Sequence, residues 1–183
     1  MNLNRDRCVL VLVDYQGRLM PRIAGGEAAV QEALFLARVA QALDVPVLGT
    51  EQNPQALGPN VDELRALCRT TLAKMHFDAT ADGLLDLIQA TGQAVDQVVV
   101  AGCEAHVCLM QTALGLLSAG LQVAVVPDAC GSRRPSDKTQ ALQRLAAAGA
   151  TLVSSEMLAF EWLRSCEYPL FKTVLALIKA RPV

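Results

Sequence analysis

The six positions from Cys8 to Val13 carry no polar side chain, and the run ends at Asp14. A stretch this short, unbroken and rich in β-branched residues predicts a strand buried on both faces. Gln97–Ala101 repeats the pattern through Val98, Val99, Val100 and Ala101. Pro46–Thr50, Gln122–Val126 and Thr151–Ser154 are shorter predicted strands, and Thr70–Phe77 reads as extended or irregular. Between these runs the apolar period becomes helical. Glu27–Leu43 aligns Val30, Leu34 and Ala37 on one face. Asp82–Ala90 is bounded by Thr91-Gly92, Ala105–Ala119 is stopped by Gly120, and Ser136–Ala148 ends on Gly149. Ser155–Arg164 and Pro169–Lys179 complete the predicted helices. Pro54, Gly58 and Pro59 mark a long loop, after which Asn60 reads as the cap of a short helix with Glu63 at its third position.

Strand and helix units alternate with no linker and no internal repeat. That order predicts α/β architecture: a three-layer α/β/α sandwich around a mainly parallel, Rossmann-like sheet, with residues 1–183 forming one domain. Ligands of such sheets bind beyond the carboxyl ends of the strands, where the strand order reverses. Chemistry is therefore expected from Asp14 onward, Thr50 onward, Gly102 onward and Pro127 onward.

Composition narrows the functional classes. Of 183 residues, 52% are hydrophobic, and the mean hydropathy is +0.32. The longest apolar runs are still only strand-length, far below the roughly 18–20 residues needed to cross a bilayer, so no membrane role is expected. The surplus is assigned to a doubly covered core and is consistent with a subunit interface. The segment Met1–Arg7 has no apolar signal stretch, and a cytoplasmic location is expected. A net charge of −2 and the lack of a Lys/Arg stripe give no footing for nucleic acid. The six cysteines are read as free thiols in a reducing compartment. Cys103, His106 and Cys108 crowd together, but at no common zinc spacing, so neither metal nor cofactor is expected. Asp14-Tyr15-Gln16-Gly17 stands where a dinucleotide-binding glycine motif would follow the first strand.

Three residues could carry chemistry. Asp14 closes the first strand and could act as a general base, or could simply cap the next turn. Cys108 falls in the first turn of the helix after the central strand, where unpaired N–H groups and the helix dipole favour thiolate. Position alone fits a buried structural thiol equally well. Lys74, within Leu72-Ala73-Lys74-Met75-His76-Phe77, would normally reach solvent. Turned inward, it would need a carboxylate such as Asp14, and could hold a thiolate or an oxyanion by charge. A Cys–His pair is a common nucleophile arrangement, but His106 is two residues from Cys108, a spacing that points the two to different helix faces. Pocket wall or surface is its expected place. Gln16, Met20, Gln52 and Phe77 flank these elements and are read, with His106, as substrate-binding residues. Asp128 is expected to support the loop at Arg133.

Taken together, these segments resemble a known family. Gly102-Cys103-Glu104-Ala105-His106-Val107-Cys108-Leu109-Met110-Gln111-Thr112-Ala113 is similar to the nucleophile motif of isochorismatase-like cysteine hydrolases. Val11-Leu12-Val13-Asp14-Tyr15-Gln16 resembles the family's Asp-bearing first strand, and Pro127-Asp128-Ala129-Cys130-Gly131-Ser132-Arg133 a later segment. Thr50-Glu51-Gln52 with Leu57-Gly58-Pro59, and Ser155-Glu156-Met157 with Phe160-Glu161, resemble the branch of isochorismatase-domain-containing proteins. The resemblance implies a Cys108–Asp14–Lys74 triad acting on a small-molecule amide, imide or related C–N bond through a thioester. It also implies a homo-oligomer, dimer or higher, a non-proline cis peptide at Cys103–Glu104 and an oxyanion hole from the N–H groups of Glu104 or Ala105 and of Cys108. Nicotinamidases of the superfamily bind metal through Asp and two His near the second strand. Here that region holds no His, so metal-independent chemistry is implied. True isochorismatases lack the nucleophilic cysteine, so Cys108 points away from vinyl-ether hydrolysis. Met75-His76-Phe77-Asp78 departs from the branch's usual sequence after the lysine.

Overall fold

The computed structural model of the chain describes residues 2–181. Its elements are β1 (Cys8–Val13), α1 (Gly26–Ala42), β2 (Val47–Gln52), the short helices α2 (Pro54–Leu57) and α3 (Asp62–Leu67), and β3 (Thr70–Lys74). They continue with α4 (Leu84–Gln89), β4 (Gln97–Gly102), α5 (Met110–Ser118), β5 (Gln122–Val125), α6 (Pro135–Ala147), β6 (Thr151–Leu152), α7 (Ser155–Leu163) and α8 (Phe171–Lys179). All neighbouring strands pair in parallel, in the order β3-β2-β1-β4-β5-β6. Strand order thus reverses between β1 and β4, and the crevice outside their carboxyl ends is the expected ligand position.

The apolar runs behave as their pattern dictates. Every residue of β1, β2 and β4 is buried, and successive side chains alternate between two cores. Leu10, Leu12, Val99 and Ala101 pack with α1, α7 and α8 residues such as Leu36, Trp162 and Val174. Val9, Val11, Val13, Val98 and Val100 pack with Leu84, Leu116 and Leu145 of α4, α5 and α6. Among the described residues no helix is long and apolar enough to cross a membrane.

Three local expectations change. β2 runs two residues further than its apolar pattern, because Glu51 and Gln52 stay in the ladder opposite Ala73 and Lys74. Asn60 does not cap a helix. Its N–H donates to Glu51 Oε1 at 2.9 Å and its amide to Thr50 O at 3.0 Å, closing the polar end of β2; α3 begins after Val61 with no side-chain cap. The helix expected from Ala105 opens with a π turn, Ala105–Leu109, before α5. There Glu104 O accepts from Val107 and also from Leu109, the latter at the wide i→i+5 spacing often found at functional sites.

Candidate active site

The carboxyl ends of β1, β2, β3 and β4 bring together Asp14, Thr50, Gln52, Lys74 and Cys108. Asp14 follows β1 with a left-handed backbone, φ 54°. Aspartate tolerates that conformation better than most residues. Its side chain is wholly buried. Thr50 Oγ donates to Asp14 Oδ1 at 2.6 Å, and Lys74 Nζ lies 2.8 Å from Oδ2. No aligned hydrogen bond reaches Oδ2 among the described residues. The lysine contact is therefore chiefly one of charge and leaves a lone pair on Oδ2.

Lys74 ends β3 with its side chain fully buried. The register opposite Gln52 explains why it turns inward. Its ammonium donates to Gln52 Oε1 at 2.7 Å and to His76 O at 3.4 Å. Gln52 is itself fixed, donating from Nε2 to Met75 O at 2.7 Å. The Cys108 Sγ stands 3.8 Å from the same Oε1. One amide oxygen thus joins cation and thiol.

Cys108 is 7% exposed and packs with the core residues on the α4–α6 side of the sheet. Its pKa is pushed up to about 12, mainly by burial, then by the charge of Asp14, with Lys74 pulling in the opposite direction. The positive end of a helix was expected to favour thiolate. Burial and the Asp14 carboxylate push the other way here, and the thiol senses carboxylate and ammonium together.

The remaining expected residues fall into different places. The Cys103–Glu104 peptide is cis. Ala105 is removed from the expected oxyanion hole, since its N–H donates to Gly131 O at 2.7 Å. No acceptor meets the Glu104 N–H among the described residues. The Glu104 carboxylate, not Asp128, holds the Arg133 loop, accepting from Arg133 N at 2.9 Å and Nε at 3.1 Å. Asp128 instead accepts from the N–H and hydroxyl of Ser155 at the start of α7. Gln16 is buried, and its amide is engaged with Gln52 O, Gly58 O and Gln52 N. It braces the loop after β2. Met20 belongs to the core on the α1 side, opposite Cys108. His106 faces away from the thiol, with Nδ1 3.0 Å from Ser132 Oγ and Nε2 3.9 Å from Asp137. Phe77 is half exposed; its carbonyl accepts from Thr112 Oγ at 3.3 Å.

Two contributors were not among the expected site residues. Thr50 reads as an ordinary strand residue, yet its hydroxyl orients Asp14. Asp82 accepts from the N–H groups of Met75 and His76, both at 2.9 Å, and meets His76 Nδ1 at 2.9 Å. One carboxylate so fixes the turn after Lys74. The His76 ring also lowers the pKa of Asp82.

Known proteins share this sequence and fold. The sequence model of the Isochorismatase domain matches residues 8–157. Mouse isochorismatase domain-containing protein 2A is 39% identical over 174 residues, covering 95% of this chain and 84% of that one. A structure of MAR1 ribonuclease from Caenorhabditis elegans superposes with a TM-score of 0.92 at 30% identity, covering 100% of this chain and 95% of that chain. YcaC from Pseudomonas aeruginosa, solved with hexane-2,5-diol and covalent acrylamide, gives 0.87 at 25% identity, covering 96% and 91%. The chain belongs to the isochorismatase domain family and has the fold of its isochorismatase-like hydrolases.

Proposed function

We propose that the chain is a metal-independent cysteine hydrolase that cleaves a small amide, imide or related C–N bond at Cys108. The observation that carries the reading is the meeting of a thiol, a carboxylate and an ammonium, from three distant segments, in one buried cluster linked by Gln52. Buried charge is costly unless it is paired, and its concentration at the strand-order reversal points to catalysis. The covalent acrylamide held by YcaC is what a nucleophilic site of this kind would capture.

In the proposed cycle the Cys108 sulfur attacks the carbonyl carbon as its proton passes to Asp14. Asp14 is the matching base for a thiol whose ionisation burial opposes. The Glu104 and Cys108 N–H groups hold the developing oxyanion, with Lys74 adding positive charge nearby. The intermediate collapses, the C–N bond breaks, and the amine leaves with the proton from Asp14, giving a thioester. Water then attacks, losing a proton to Asp14, and the acid departs as the Cys108 thiol is restored. Each turnover consumes one water and yields one acid and one amine.

The test is acrylamide labelling of the native protein with adducts mapped by mass spectrometry, beside ammonia release from a panel of small amides. Cys108 should be modified, and Asp14→Asn should slow this by about 100-fold. Adducts confined to exposed Cys166, together with ammonia release undiminished in Cys108→Ala, would sink the proposal.

A further inference from the structure

Between Lys74 and α4 the chain passes through bends at residues 75–78 and a single 3-10 turn, Ala79–Asp82. That turn packs against both β3 and α5. The segment supplies two acceptors to the candidate site. Gln52 Nε2 donates to Met75 O at 2.7 Å, and Lys74 Nζ to His76 O at 3.4 Å. Where these carbonyls point therefore decides where the amide and the ammonium sit, and Gln52 Oε1 faces the Cys108 sulfur at 3.8 Å.

Both carbonyls lie past the end of β3, outside the strand ladder. Asp82 orients them instead. Its Oδ2 accepts from the N–H groups of Met75 and His76, both at 2.9 Å, and its Oδ1 meets His76 Nδ1. The His76 N–H and the Met75 carbonyl belong to one planar peptide unit, so a carboxylate that fixes the first aims the second at Gln52.

The segment is pinned a second time, on α5. Thr112, fully buried, accepts from Ala79 N at 3.0 Å and donates to Phe77 O at 3.3 Å. It stands four residues after Cys108, about one helical turn. Gly115 leaves room beside it: a Cβ there would lie within 2.6 Å of the Asp78 carboxylate and Thr80 Oγ. One short stretch thus starts at the lysine and rests on the helix that the cysteine opens into.

We propose that residues 75–82 form a strap that sets the placement of Lys74 and Gln52 relative to Cys108, with Asp82 and Thr112 as positioning residues acting through its backbone. The inference rests on the cysteine-hydrolase reading of the site.

Two measurements test it together: acrylamide capture at Cys108, timed by mass spectrometry, and exchange of the Gln52 side-chain amide with water, followed by NMR and assigned with Gln52→Leu. Asp82→Ala and Thr112→Val should each slow capture about tenfold and hasten Gln52 exchange about tenfold. Asp82→Asn and Thr112→Ser keep an acceptor for the strap and should stay within about threefold of the parent in both. Exposed Cys166 is the internal reference. Mere loss of stability would instead open the buried Cys8, Cys103 and Cys130 to labelling without slowing Cys108, and that pattern would overturn the proposal. So would unchanged capture and exchange in Asp82→Ala and Thr112→Val, or conservative variants no better than these. A parent never captured at Cys108 would remove the hydrolase reading alone; faster Gln52 exchange in both variants would still support the strap, and unchanged exchange would overturn it.

Discussion

Replacing Lys74 by methionine keeps an unbranched side chain, one heavy atom shorter, and deletes its charge. In the native site the ammonium lies 2.8 Å from Asp14 Oδ2 with both side chains fully buried. At an effective dielectric of about 20, the bare attraction at that separation is about 6 kcal/mol, most of it offsetting the removal of two charges from water. Deleting one partner leaves the desolvation without the attraction, so Lys74→Met should cost about 3–5 kcal/mol. Asp14→Asn should cost less, about 2 kcal/mol, because Lys74 keeps Gln52 Oε1 at 2.7 Å and His76 O at 3.4 Å. Asp14→Asn/Lys74→Met removes both charges and should fall short of the summed losses by at least about 2 kcal/mol. Urea unfolding of all four proteins at neutral pH, followed by circular dichroism and checked for constant m, measures the cycle and needs no substrate. Additivity within about 0.5 kcal/mol would refute the claim that the two groups form one tight, dry unit.

Further outcomes follow from the same geometry. Gln52→Leu removes the acceptor shared by Lys74 and Cys108; we expect a loss of about 2 kcal/mol in urea unfolding and slower acrylamide capture at Cys108, whereas unchanged capture would rule out Gln52 as the link. Burial raises the pKa values of Cys8 and Cys68 to about 11 and of Cys108 and Cys130 to about 12, from 9.0. Above pH 9 the unfolded chain therefore releases protons that the folded one retains, so stability falls as pH rises toward 11–12, by about 1.4 kcal/mol per pH unit for each thiol. Cys108→Ala should flatten that slope by one thiol's share, and identical slopes in parent and variant would count against the raised value. Gly102→Ala would place a Cβ 2.6 Å from Val13 Cβ, where β4 and β1 approach; a loss of about 2–3 kcal/mol is expected in thermal unfolding, and a neutral result would mean that the strands can separate there.

The strands were legible wherever burial on both faces removed every polar residue, as in Cys8–Val13 and Val98–Ala101. They were least legible at β2, whose last residues, Glu51 and Gln52, are polar because they serve the site and the loop beyond it. Spacing could nominate Asp14 and Cys108 but could not bring Lys74 to them. That meeting depends on β3 lying two strands from β1, a long-range fact with no local signature. The electrostatic expectation for Cys108 failed for a physical reason. A helix end supplies a partial charge, while a nearly dry setting among Ala105, Leu109 and Ala113, with Asp14 beside it, opposes ionisation more strongly. The role of Ala105 was hidden because the competing acceptor, Gly131 O, lies 26 residues away in the chain.

The strand order divides the sheet into an amino-terminal half, β3-β2-β1, and a carboxyl-terminal half, β4-β5-β6, joined along one ladder from Cys8–Gln97 to Val13–Gly102. Asp14, Gln52 and Lys74 belong to the first half and Cys108 to the second, so the candidate site straddles this seam. A fluctuation that unzips the seam therefore separates these groups before either half has melted. Amide exchange along Val9–Val13 should track loss of thiol capture more closely than any bulk measure of helix content.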